Sequence, residues 1–246
     1  MPRTRNVNLS PPAAPQGRVV FDTGRLDARY DAVWQLENSA SSRYHGLIVS
    51  LGRKLTKQFG LQVSYTLSKA VDDASDFDEQ PQNPYDLRAE RALSRQDQRH
   101  RLVMSGLFNP FGDDDDAPDD DGSVWRKLVS GIAFAPLVTL ASDRPFNPLT
   151  GGDDLHTLAL PLTARPLGFA RNSLSGAAQR NIDLRVLKRF WLNERHQLLD
   201  FAVDIFNLTN AVNVRELNPF AGSASFGKPI DAFNARRWQF SLELEF

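Results

Sequence analysis

The residues of this chain that could do chemistry are four histidines, many serines and a run of aspartates. The histidines are His45, His100, His156 and His196, and no two of them stand at the spacing that metal ligands need. Serine hydrolysis is not indicated, because no Gly-x-Ser-x-Gly elbow stands between a strand and a helix. No glycine-rich loop could cradle a phosphate group. We therefore predict that the chain is not an enzyme and has no catalytic residue, no metal site and no cofactor.

The run of aspartates, residues 113–121, is the most biased stretch of the sequence. It invites comparison with a calcium site, but an EF-hand loop needs a glycine at its sixth position and a glutamate at its twelfth. The run does not meet that pattern. We predict a solvated turn instead.

The overall composition excludes several classes of protein. The absence of cysteine excludes disulfides and thiolate metal sites. A net charge of -1 gives no field that would attract nucleic acid, so we predict no nucleic-acid partner. Mean hydropathy is -0.39, and no apolar run has the length of a membrane-spanning helix. The first residues lack the apolar core of a secretory signal, so we expect the targeting information of an exported protein to be missing.

The last stretch of the chain has the clearest pattern. Apolar residues at alternate positions are Trp238, Phe240, Leu242, Leu244 and Phe246, and between them stand Arg237, Gln239, Ser241, Glu243 and Glu245. Period-2 alternation predicts a strand with one apolar and one polar face. A strand of about ten residues with an apolar face is what a tilted transmembrane β-strand needs, although an edge strand of a soluble sandwich would also fit.

The same alternation recurs upstream and predicts about eight strands in all. They lie near residues 29–37, 44–52, 61–68, 99–109, 131–141, 181–186, 199–205 and 236–246. We predict an irregular lead-in over 1–27 and one β-barrel region over 28–246, with edge strands near Tyr30 and Phe246. Pro136 interrupts the fifth strand, which favours an edge or a bulge there.

Short and long connections largely alternate between these strands, and the long ones cover residues 70–98, 142–178 and 207–234. Outer-membrane barrels have this asymmetry, because their turns are short on one side of the membrane and long on the other. Carboxylates on strands are costly in a dry core, so we predict a polar barrel interior. The residues predicted to line that interior are Asp183, Arg185, Asp200, Asp204, Arg237, Gln239 and Glu243.

Several stretches together resemble the C-terminal barrel wall of TonB-dependent outer-membrane receptors, most closely the Oar-like branch. They are SRYHGL at 42–47, QVSYTLSKAVDD at 62–73, DQRHR at 97–101, DRPFN at 143–147 and DIFNLTN at 204–210. The resemblance covers most of residues 29–246. It implies a large barrel of about twenty-two strands around a plug domain, which imports nutrients with energy from an inner-membrane complex.

The fold class implied is all-β, an antiparallel up-and-down transmembrane β-barrel wall that forms part of such a barrel. Since no plug is encoded here, we expect a truncated chain, located in the outer membrane, that does not transport alone. The partners implied are outer-membrane lipid, the missing plug and N-terminal barrel half, the energy-transducing complex and the barrel-assembly machinery. The resemblance implies that this machinery reads the apolar residues from Trp238 to Phe246 as an insertion signal.

Two other interpretations fit the sequence. The chain could be a complete eight-stranded outer-membrane barrel, whose interior side chains would just fill it. It could also be a soluble β-barrel that binds a ligand with its apolar residues facing inward.

Overall fold

The computed structural model describes residues 1–12, 19–22, 24–53, 58–112, 124–159, 164–191 and 197–245. Its strands are β1 (Arg3–Asn6), β2 (Trp34–Glu37), β3 (Ser42–Arg53), β4 (Phe59–Asp72), β5 (Ala92–Leu93), β6 (His100–Phe108), β7 (Ile132–Ala141), β8 (Pro145–Phe146), β9 (Leu174–Ser175), β10 (Gln179–Trp191), β11 (Leu198–Phe206), β12 (Val214–Leu217), β13 (Pro229–Ala232) and β14 (Arg237–Glu245). One 3-10 helix covers Leu87–Glu90, and one α-helix, α1, covers Val124–Val129. Across the described ranges, neither helix has the length and apolar content to cross a membrane.

Seven long strands form one antiparallel sheet in the order β14-β11-β10-β7-β6-β4-β3, and the short β5 pairs with the end of β4. Long strands that are neighbours in space are also successive along the chain, which is an up-and-down arrangement. The predicted all-β, antiparallel fold class is therefore confirmed. The sheet does not close, because β3 and β14 are its two edges.

One predicted strand is not part of this sheet. The segment near Tyr30 was expected to begin the barrel, but only Trp34–Glu37 is extended there, and it pairs with β1. The pairing is supported by an ion pair between Arg5 and Glu37, whose atoms Nη2 and Oε2 lie 2.7 Å apart. The edge of the large sheet is thus β3 and not the segment near Tyr30, and the lead-in over 1–27 contains the strand β1.

Pro136 lies in the middle of an interior strand and the register is the same on both sides of it, so the expectation of an edge or a bulge is wrong. β7 pairs with β10 through Pro136, whereas its ladder with β6 is interrupted between Ser105 and Phe108. The gap faces Gly106, where an added Cβ would lie 3.3 Å from the Gly60 carbonyl oxygen and 3.7 Å from the Pro136 ring. A proline lacks the N–H that the ladder would use, and the glycine opposite leaves room for its ring.

The register carries the alternation of each strand across the whole sheet. Phe59, Phe108, Phe134, Val186, Val203 and Phe240 form one row of successive cross-strand partners. We call the side of the sheet that carries this row the apolar face. It is formed by every second residue of the seven long strands. The opposite side, which carries Asp200 and Asp204, is called the polar face.

We predict that Gly131→Ala destabilises the fold, because Gly131 has φ +65° and an added Cβ would lie 2.8 Å from the Arg189 carbonyl oxygen. The left-handed conformation alone costs a residue with a side chain about 1–2 kcal/mol. The control is Gly52→Ala, since nothing lies within 4 Å of a Cβ at Gly52. Urea titration should show a loss of free energy of unfolding at position 131 only. Equal effects at both positions would contradict this account.

Candidate functional site: two sheet faces and a loop assembly

The polar face carries ion pairs that link neighbouring strands. Arg185 on β10 is the register partner of Asp204 on β11, and their atoms Nε and Oδ1 lie 2.9 Å apart. Four residues further along β10, Arg189 binds Asp200 through two hydrogen bonds of 3.0 and 2.9 Å. Because bidentate arginine–carboxylate pairs are specific in geometry, these contacts also fix the register.

The other predicted interior residues share this face. Asp183 accepts hydrogen bonds from the Asn181 side chain and the Asn207 backbone N–H, both 2.8 Å long. On β14, Gln239 and Glu243 are the register partners of Asp204 and Asp200. The guanidinium of Arg237 lies over the Phe206 ring, 5.5 Å from its centre. The structure thus brings all seven predicted residues to one face, while their location inside a closed barrel stays a prediction.

The apolar face is uncovered by the rest of the described chain. On β14, Trp238 is 56% exposed, Phe240 65%, Leu242 69% and Leu244 54%. Phe246, the last residue of the predicted insertion signal, lies outside the described residues. The opposite edge repeats the pattern, since Leu47, Val49 and Leu51 of β3 are also exposed. Apart from the buried Ile205, the face is therefore an extended apolar surface that no other segment of the described residues covers.

A cavity of about 440 Å³ opens where the polar face meets the long connections. Hydroxyl, amide and charged groups line it, among them Ser42, Tyr44, Thr66, Ser68, Asp72, Ser94, Gln96, Gln98 and Arg101. The Tyr44 ring lies over Gly46, because a Cβ there would be 2.6 Å from the Tyr44 hydroxyl. Such a lining can hydrogen-bond a polar solute.

At the same end of the sheet, the long connections and the N-terminal segment pack together. We call residues 1–12, 19–22, 73–99 and 142–178, as far as described, the loop assembly. Its small hydrophobic core consists of Leu9, Phe21, Leu155 and Ala164. Backbone hydrogen bonds of 3.0 and 2.9 Å join Thr4 to Phe77 and Phe21 to Leu155. Asn6 adds a 3.0 Å bond from its side chain to the Thr157 carbonyl.

Arg171 is the centre of the loop assembly. Its side chain is 1% exposed and donates to Glu79 Oε1 at 2.6 Å, to Asp72 Oδ1 at 2.7 Å and to Ser75 Oγ at 2.9 Å. Burial works to lower the pKa of Arg171, but its bonds to Glu79 and Asp72 outweigh burial and raise it. Burial likewise works to raise the pKa of Glu79, but the bonds and charge of Arg171 leave it below its ordinary value.

Two further buried ion pairs lie within the loop assembly. Arg165 holds Glu90 with two bonds of 2.8 and 2.9 Å, and the two side chains are 7% and 2% exposed. Arg3, which is fully buried, pairs with Asp73 at 2.9 Å. A buried charge is tolerated only when it is paired and hydrogen-bonded, so these partners hold the connections in one arrangement.

None of these loop residues was predicted as functional. The partners of Arg171 lie 92 and 99 positions away in the sequence, so no local spacing indicates them. The histidines remain apart, with His100 bonded to the Tyr65 hydroxyl at 2.8 Å and His156 to Asp22, while His196 lies outside the described residues. In the described part of the chain, no three His, Asp or Glu side chains converge on a possible metal position. The acidic run 113–121 is also outside it.

We predict that acid loosens the loop assembly through Glu79. The pKa of its carboxyl is below the ordinary 4.5 in the folded chain, so its stabilisation is complete above that pH and is lost as the pH falls through the folded-state pKa. The melting temperature should therefore fall more steeply between about pH 5 and pH 3 in the wild type than in Glu79→Gln. The exposed Asp78→Asn variant is the matched control and should follow the wild type. Parallel curves for the wild type and Glu79→Gln would refute this role.

Comparison with known proteins gives one assignment. The family model described as an outer membrane beta barrel domain matches residues 1–168, which is more than half of the chain. Comparisons with curated proteins and with solved structures give no match. The match starts at the first residue and includes β1 through β8 and most of the loop assembly. Family and fold agree with the uncovered apolar face, and the chain therefore belongs to the outer membrane beta barrel family.

Proposed function

We propose that this chain is a section of the wall of a TonB-dependent outer-membrane transporter that takes up nutrients, and that it does not transport alone. The observation that carries the proposal is an open antiparallel sheet with an uncovered apolar face and an ion-paired polar face. The family assignment supports an outer-membrane barrel. The more specific link to TonB-dependent uptake, of the Oar-like kind, is supported by the sequence stretches that resemble those receptors.

The apolar face favours a membrane wall over a soluble binding protein. In a soluble barrel this face would be turned inward and covered by the chain itself. The ion pairs Arg185–Asp204 and Arg189–Asp200 would then lie in water, where such pairs contribute little. In a membrane wall the apolar face contacts lipid and the ion pairs line a polar interior, as in known transmembrane barrels.

Strand direction favours a section of a larger barrel over a self-contained one. Both edges, β3 and β14, run from the long-connection end of the sheet to the other end. Direct pairing of the two edges would therefore be parallel, whereas bacterial barrels of one chain are antiparallel with an even strand number. The segment that could supply an eighth long strand, near Tyr30, is engaged elsewhere through β2. Further strands are needed to complete the wall.

Uptake also needs a polar entry at the external side. The cavity beside Tyr44 and Arg101 lies at the long-connection end, which faces outward in barrels of this kind. In the proposed transporter this cavity would border the entry, and the loop assembly would form part of its rim. The proposed partners are the plug and the remaining barrel strands, the energy-transducing complex, membrane lipid and the assembly machinery.

We predict that the isolated chain, refolded in detergent, gives oligomers or aggregates, because lipid cannot satisfy the unpaired backbone groups of β3 and β14. Semi-native electrophoresis with and without heating measures this. A protease-resistant, heat-modifiable monomer would favour the closed small barrel.

The proposed transport function is tested on the gene. We expect the DNA that lies upstream of Met1 and in frame with it to encode a plug. An in-frame stop codon there, with an unrelated sequence upstream of it, would count against a TonB-dependent transporter.

A second prediction separates the two faces at neighbouring residues. Leu242→Arg places a charge on the apolar face near the bilayer midplane and should cost about 2–4 kcal/mol of stability in the membrane. Ser241→Arg, on the polar face opposite Ala202, should cost much less. Insertion of both variants should be compared in the complete gene product, with protease protection of outer membranes as the measurement. Equal tolerance at 241 and 242 would exclude a lipid-facing β14.

A further inference from the structure

The acidic residues of the seven long strands are confined to one face of the sheet, whereas basic residues occur on both faces. All their carboxylates lie on the polar face, namely Asp72, Asp183, Asp200, Asp204, Glu243 and Glu245. The apolar face has no acidic residue within these strands. Apart from Tyr65, its ionisable residues are Arg43, His45, Arg53, Lys69, His100, Arg180 and Lys188, and all of these are basic. Over the whole chain, by contrast, 29 basic residues balance 30 acidic ones.

These basic residues stand at the borders of the apolar face. On β3, Arg43 and Arg53 enclose Leu47, Val49 and Leu51. Ten residues of strand span about 33 Å, or about 25 Å along the membrane normal at a tilt near 40°, which is the height of the apolar band of a membrane barrel. On β10, Arg180 and Lys188 stand at the corresponding two ends. The basic residues therefore lie at the level of lipid headgroups on both sides.

The two borders differ in what their cations contact. Towards the short turns, Arg53 lies 5.3 Å from the centre of the Phe59 ring and Lys188 lies 4.9 Å from that of Phe190. Towards the long connections, the side chains of Arg43, Lys69 and Arg180 are exposed, and within the described ranges none of them is in an ion pair. We call these three residues the upper basic border.

On β3 and β4, two members of the upper basic border lie close together. Lys69 is the direct cross-strand partner of His45, and Arg43, two residues before His45 on β3, lies opposite Val71. Diagonal neighbours of this kind are about 7–8 Å apart, so long side chains can converge on one anion. Arginine and lysine both bind phosphate oxygens, and the apolar side chains below them would receive the acyl chains of the same molecule.

We propose that the upper basic border binds the phosphate groups of anionic lipids in the membrane leaflet nearest the long connections, with Arg43 and Lys69 at one phosphate and Arg180, three strands away in the sheet, at another. The proposal rests on the membrane orientation proposed above. The occupant is a lipid and not a soluble anion, because the cations lie at the border of an uncovered apolar face. A polar ligand or an acidic protein segment would leave that face exposed to water.

The test measures the lipid preference of the complete gene product in zwitterionic detergent micelles, because the isolated chain is expected to aggregate there. The probe is dansyl-labelled phosphatidylglycerol, whose binding is followed by energy transfer from tryptophan, with labelled phosphatidylcholine for comparison. Each cation beside an anionic surface strengthens binding about fivefold. The triple variant with Arg43→Gln, Lys69→Gln and Arg180→Gln should therefore reduce the preference for phosphatidylglycerol over phosphatidylcholine about a hundredfold at low salt. High salt should weaken the wild-type preference, since exposed charges are screened.

The matched control removes three exposed cations that are not on the apolar face, through Arg88→Gln, Arg95→Gln and Lys228→Gln. This variant should keep the preference of the wild type. Equal loss in both triple variants would overturn the proposal in favour of general charge attraction. An unchanged preference in the first variant, or release of the lipid by inorganic phosphate at equal ionic strength, would also overturn it.

Circular dichroism in neutral micelles separates this proposal from the proposed function. Strand content in micelles without anionic lipid reports whether the sheet accepts an apolar surrounding at all. Normal strand content with no preference for phosphatidylglycerol would overturn the lipid site and leave the barrel wall standing. Loss of strand content in every lipid would overturn both.

Discussion

The structure depends on a single constraint, the register of seven successive strands. Because side chains alternate between faces, a slip of one residue in any pair would move apolar residues of one strand to the polar face. The row from Phe59 through Phe134 to Phe240 exists only because every pairing keeps the same parity. The ion pairs of Arg185 and Arg189 penalise a slip on the other face, since it would separate the charges. Hydrophobic and ionic contacts therefore specify the same alignment.

The loop assembly is held together mainly by polar contacts. Long connections at a membrane surface cannot build a large hydrophobic core, and among the described residues a small cluster of Leu9, Phe21, Leu155 and Ala164 is what they form. The buried guanidinium of Arg171 joins Asp72 at the end of β4 to Glu79 in the connection that follows. A buried ion pair adds little net stability, but removal of one partner is costly, so it selects one arrangement among many. The rim of the sheet is thus held in a defined shape by polar contacts.

Much of the sheet could be predicted from sequence, because alternation is a local signal that spans five residues or more. It located β3, β4, β6, β7, β10, β11 and β14 and placed the polar residues of β10, β11 and β14 on a common face. Other features depend on contacts that are distant in the chain. Alternation at residues 29–37 predicts a strand but cannot name its partner, which is β1 and not the large sheet. Pro136 is accepted inside β7 because Gly106 lies opposite, and the partners of Arg171 are equally remote.

The alternation of side chains assigns each charged residue to one face, and the solvent next to that face decides which charges are tolerated there. A carboxylate on a lipid-facing strand would have to lose its hydration, while a lysine or arginine can place its stem along apolar surface and keep its charged end at the headgroups. Arg43 and Arg53 lie about one bilayer core apart along β3, which fits that mechanism. On the polar face water and opposite charges are both near, and there the acids Asp200 and Asp204 lie beside arginines. A negative charge on these strands thus indicates a face next to water, and both faces agree with a wall between lipid and a polar interior.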